Sequence, residues 1–159
     1  MKSAILSVVH VVQVAFGIYN LYLAADSINK LLGYEDMSKK AAKYSKTAEK
    51  QLHMTRSTQA SGTIAEQLLI STLSAAYMLV TLPQVGNQGM AGLNMLALVL
   101  ARKHVGNFWS DKPRVPVPGA GDFNEAAKKT EEVMMNLAIF AATWFVVGGV
   151  DLLFAAFES

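Results

Sequence analysis

Residues 3–25 read SAILSVVHVVQVAFGIYNLYLAA and carry no formal charge. Within them Ser3, Ser7, His10, Gln13, Gly17, Asn20 and Ala24 follow one another at steps of three or four, the repeat of one face of an α-helix. The remaining positions are almost all Ile, Leu, Val, Phe and Tyr. A helix of this length rises ~35 Å at ~1.5 Å per residue, enough to cross a hydrocarbon core of ~30 Å. The stretch therefore reads as a membrane span whose apolar sides meet acyl chains and whose polar stripe meets protein. Lys2 ahead of the run also fits a signal peptide ending near Ala24-Ala25. That frame, however, puts Leu23 where a small residue is preferred and His10, Gln13 and Asn20 in the apolar core, so retention is expected.

Three further weakly charged stretches follow, at Ile64 to Leu82, Gly89 to Ala101 and Val133 to Phe157. Pro83, Gly86 and Gly89 force a reversal between the second and third, which are expected to form a helical hairpin. The third is short: thirteen residues rise only ~20 Å, so it must borrow residues beyond Ala101, to His104 or as far as Phe108, tilt, or stay half buried. The chain has 159 residues, 52% of them hydrophobic and 16% charged, with mean hydropathy +0.29. Four apolar helices in a soluble domain of this size would leave too little polar surface to cover them. The expected fold is all-α, a single integral-membrane domain over residues 1–159: a four-helix transmembrane bundle with spans near 3–25, 64–82, 89–104 and 133–157.

Apart from Lys2, every one of the fourteen Lys and Arg residues lies either between the first and second stretches, from Lys30 to Arg56, or between the third and fourth, from Arg102 to Lys129. The positive-inside rule places both connecting segments, 26–63 and 105–132, on the cytoplasmic side, or in the matrix or stroma of an organelle, and both termini opposite. Met37 to Arg56 has the pattern of an amphipathic helix on that side, with Lys39, Lys43, Lys46 and Lys50 on one face, suited to anionic lipid headgroups or simply to solvent. In the second segment Asp122 caps a helix start with Glu125 three residues on, and Phe108-Trp109 suits an interfacial anchor.

Depth along the spans offers one candidate site. His10, Asp151, Tyr77 and Asn94 each stand five to seven residues from span ends on the same side, which places them in one polar layer as either a hydrogen-bonded helix contact or an acid/base site. A carboxylate at that depth needs a partner. The polar and small faces of the second and fourth spans read as helix contacts. Absence of cysteine removes disulfides, thiol catalysis and thiolate metal sites. His10, His53 and His104 have no ligand spacing, so no metal or other cofactor is expected. A net charge of +2 without a nucleic-acid-binding motif argues against nucleic acid as partner.

Gly17, the segment Lys30-Leu31-Leu32-Gly33, the apolar middle hairpin and Gly148-Gly149-Val150-Asp151 together resemble the DoxX-like group of small four-helix membrane proteins. Small anthrone-oxygenase-like proteins share a comparable span order. Either resemblance implies the architecture and hands over no catalytic motif. The function expected is that of an accessory or scaffold protein binding lipid, other membrane proteins or itself. The alternative is a membrane-embedded enzyme acting on a lipophilic small molecule.

Overall fold

The computed structural model describes residues 2–43, 58–81, 88–110 and 121–158. They form four α-helices: α1 (Lys2–Ala42), α2 (Thr58–Thr81), α3 (Gln88–Ser110) and α4 (Gly121–Glu158). Each helix packs on its chain neighbour, and α1 also packs along α4, which closes a four-membered ring. On α1 and α4 the partners run in opposite order. Lys2, Gln13, Asn20 and Ser27 meet Asp151, Thr143, Asn136 and Thr130 respectively, so the two helices are antiparallel over their shared length.

The core is apolar, around Leu6, Leu68, Leu98, Phe140 and Trp144, but polar side chains are set into it and large apolar side chains cover the outside. His10, Gln13, Asn20, Asn94 and Asn136 are buried, while Val8, Val11, Ile18, Leu73, Val80, Leu93, Phe145 and Leu153 are exposed. An outward apolar belt of this extent has no place in water and matches acyl chains. Helices α1, α2 and α4 contain stretches long and apolar enough to cross a membrane. Helix α3 rises ~34 Å over 23 residues and continues through Arg102 to Ser110, but it is not among the described helices apolar enough to cross a membrane. Its continuation includes Arg102, Lys103 and His104, which lower its hydropathy.

The connecting segments are shorter than the sequence implies. Helix α1 runs on to Ala42 through residues expected to start a loop at 26, and the helix expected to start at Asp122 begins at Gly121 and continues unbroken into the last span. The reason is packing: Leu31 continues the buried face of α1 and meets Phe123 and Ala126 of α4, with Tyr34 and Trp109 around them. The ring of Trp109 lies 5.9 Å from that of Phe123, and Phe123 lies 4.9 Å from Tyr34. Trp109 thus pins the extended end of the bundle. Of the expected amphipathic helix 37–56, residues 37–42 continue α1, and Lys46 and Lys50 lie outside the described residues.

One close approach sets the spacing of α1 and α2. A Cβ added at Gly17 would collide with Oγ1 of Thr72, whose hydroxyl donates to the Leu68 carbonyl at 2.6 Å. Small residues at such crossings let backbones approach where no hydrophobic force drives helices together. Gly17→Ala is expected to destabilise the protein by about 1–3 kcal/mol through overpacking, and Thr72→Ala in the same chain should restore part of the loss. Thermal unfolding of both variants in one detergent checks this; an unchanged melting temperature for Gly17→Ala would disprove the close approach.

Candidate functional site

The polar stripe of α1 is almost wholly internal. Gln13, Asn20 and Ser27 recur every seven residues, two helical turns, and each meets a polar group of α4. At the middle rung Asn136 Nδ2 donates to Asn20 Oδ1 at 2.8 Å, and Asn20 Nδ2 donates to the Phe16 carbonyl at 2.8 Å. At the next rung Thr130 Oγ1 donates to the Ala126 carbonyl, and Ser27 Oγ lies 2.9 Å from Thr130 Oγ1 and 3.0 Å from that carbonyl. Ser3 alone departs from the expected stripe: it is exposed, and Leu6 fills the core near that end.

The rung at Gln13 fixes the state of His10. Gln13 Nε2 donates to Thr143 Oγ1 at 3.0 Å, and Thr143 Oγ1 in turn donates to the Phe140 carbonyl at 2.7 Å. Gln13 Oε1 is then an acceptor, so the proton of the contact at 2.6 Å belongs to His10 Nδ1. In neutral imidazole this leaves Nε2 as a bare acceptor. Nε2 is fully buried and has no hydrogen-bond partner among the described residues. The His10 ring packs 5.8 Å from Trp144, whose Nε1 donates to Ser71 Oγ at 2.7 Å.

Of the four residues expected in one layer, His10 and Asn94 are brought to the same level. Ala91 and Met95, which flank Asn94 along α3, line an apolar groove of about 250 Å³ whose wall includes Trp144. Asn94 Nδ2 donates to the Met90 carbonyl at 3.0 Å, and its Oδ1 is, like His10 Nε2, buried without a partner among the described residues. Asp151 is buried on another rung, paired with Lys2 at 2.8 Å. Lys2 precedes His10 by eight residues, roughly 12 Å along the axis, and neither His10 ring nitrogen bonds Asp151. Tyr77 is 53% exposed and faces outward.

The periodicity of the sequence does not single out Thr143, Trp144 or Asn136. A signal is nonetheless there: Thr130, Asn136 and Thr143 sit six and seven residues apart, close to the seven-residue steps of Ser27, Asn20 and Gln13. Lys39 and Lys43, expected at headgroups, are exposed near the end of α1, with Lys39 Nζ 3.4 Å from Asp36. Among the described residues no group of His, Asp and Glu is placed to hold a metal ion.

Beyond the uncharged spans, α1 and α4 are joined by ions. Lys30 Nζ reaches Asp26 at 3.0 Å and Glu125, while Lys129 Nζ reaches Asp26 and lies 3.4 Å from Glu125. Hydrogen bonds from Lys129 and then Lys30 hold the Asp26 carboxyl below the ordinary range, and Lys30 does the same to Glu125. A lowered native pKa stabilises the fold above the unfolded value of about 4 and loses that contribution as pH falls through the native value. Asp26→Asn should therefore lower the melting temperature at neutral pH, and the deficit should shrink only as pH falls below the ordinary carboxylate range and through the lowered native value of Asp26. Melting curves of the two proteins across that range check it; a pH-independent deficit would assign the effect to packing.

No protein-family model, curated protein or solved structure matches this chain, and its polar core is the feature from which a function must be argued.

Proposed function

We propose that this chain is an integral-membrane accessory or scaffold protein that works by binding lipid, other membrane proteins or a second copy of itself, and not by catalysis. The observation that carries the reading is how the buried polar groups are used. Gln13 bonds Thr143, Asn20 bonds Asn136, Ser27 contacts Thr130 and Trp144 bonds Ser71, so interior polarity serves mainly to fasten helices, each bond contributing about 0.6–2 kcal/mol. The surface left for interaction is apolar around the belt and charged at one end. That charged end faces the cytoplasm, or the matrix or stroma, by the distribution of Lys and Arg, and both termini lie opposite.

A chain without cysteine makes the sidedness easy to test. Single cysteines replacing Lys43 and Gly121 should react with an impermeant thiol reagent only from the cytoplasmic face, and one replacing Ser159 only from the other. Equal labelling of all three in sealed membranes would overturn the orientation.

A second reading, a membrane enzyme acting on a lipophilic molecule, is favoured by one observation, the buried acceptor at His10 Nε2. Asp151 as its acid/base partner and Tyr77 and Asn94 as orienting groups would need the rungs at Lys2 and Gln13 to rearrange. His10→Gln separates the two. If the residue is structural, Gln keeps a hydrogen-bonding side chain in the core and the melting temperature and bound complement stay as in the wild type. If it is catalytic, lipophilic-metabolite profiles of cells carrying the variant should match those of cells lacking the protein while folding is intact, an outcome that would reject the scaffold reading.

A further inference from the structure

Helices α3 and α4 touch closely near the termini, where the position of a Gly148 Cβ would lie 3.6 Å from Ala91. Toward the charged end they enclose an open groove of about 880 Å³. Its floor is small or apolar: Val99 and Gly106 on α3, Ala138 and Ala141 on α4. Its mouth is charged, with Arg102 and Lys103 on α3 facing Glu131 on α4. The Nε–H of Arg102 donates to the Met134 carbonyl at 3.1 Å, which fixes the side chain across the groove. A guanidinium has five N–H donors, so its Nη groups keep donors for a further acceptor.

We propose that this groove binds a glycerophospholipid with an anionic headgroup, its phosphate on Arg102 and Lys103 and one acyl chain along Val99, Ala138 and Ala141. Two arguments select that occupant. The groove runs from the exposed apolar belt, at Leu96, Val99 and Ile139, to the level at which exposed charges begin, the depth of lipid phosphates in a bilayer. The two cations outnumber the one carboxylate at the mouth, and basic pockets between helices on the cytoplasmic side suit anionic headgroups. Free phosphate would use the cations and leave the apolar floor in contact with water. The inference rests on the proposed binding function and specifies its lipid arm.

The test is lipid retention by the full chain in mild detergent, read by native mass spectrometry after titration with phosphatidylglycerol or phosphatidylcholine. Three variants are compared with the wild type: Arg102→Gln with Lys103→Gln, Ala138→Leu to fill the exposed floor, and Lys40→Gln, exposed on α1, as a distant basic control. The wild type should retain phosphatidylglycerol over phosphatidylcholine, and the first two variants should weaken it about tenfold or more while the control does not. Ala138→Leu leaves all charges in place and, if its melting temperature without lipid is unchanged, reports the groove itself. Undiminished binding in both groove variants, or loss only in the Lys40 control, overturns the groove and leaves a lipid-binding protein. Equal retention of phosphatidylcholine overturns the headgroup assignment, and no retention of either lipid by the wild type overturns the lipid arm of the proposed function as well.

Discussion

Everything in this bundle depends on side-chain hydrogen bonds between α1 and α4. In lipid the exclusion of apolar surface from water does not favour helix association, because acyl chains and leucines are alike. What holds two such helices in one register is the cost of leaving an amide or hydroxyl unbonded in hydrocarbon. Asn20 with Asn136, Gln13 with Thr143 and Ser27 with Thr130 supply that cost at three heights. Sliding α4 by one turn would break all three rungs at once. Gly17 against Thr72 then sets the distance of α2, and the contact of Trp144 with Ser71 ties α2 to the opposite helix.

The same economy accounts for the outer surface. With the polar groups turned inward, Val8, Val11, Leu73 and Leu93 are left to face lipid. Where the charges begin, at Asp26 on α1 and near Glu132 and Lys129 on α4, the two helices continue together on different terms. There Leu31, Phe123 and Ala126 form a small water-type core, and the ion cluster of Asp26, Lys30, Glu125 and Lys129 rims it. One pair of helices thus uses lipid-type packing at one end and aqueous packing at the other.

The all-helical class, the four bundle helices among the described residues and the inward stripe of α1 are legible because each rests on residue type at fixed spacing. His10, Gln13, Gly17, Asn20 and Ala24 are all buried as their spacing requires. What periodicity does not hold is the pairing of faces. Depth alone grouped Tyr77 and Asp151 with His10, yet depth says nothing of helix rotation, and Tyr77 turns outward while Asp151 finds Lys2. That α1 runs on past the first span, and that the helix starting near Asp122 is continuous with the last span, escape the pattern for a related reason. Asp26, Lys30, Lys128 and Lys129 look like loop residues when counted by charge, and only the contact of Leu31 with Phe123, 92 positions away in the chain, shows why the helices persist.

The ladder also imposes an order on biosynthesis. Asn20 and Asn136 are separated by 116 residues, so the first helix enters the bilayer well before its partner exists. At about 5–20 residues per second the wait is roughly 6 to 23 s. During that interval Gln13 and Asn20 have only their own helix to bond, through contacts such as Asn20 to the Phe16 carbonyl. Helix α2, arriving first and seated against Gly17, shelters one flank of the stripe until α4 completes the ring. The nascent chain is for those seconds a half-built bundle with an open polar seam, closed only when the last helix arrives.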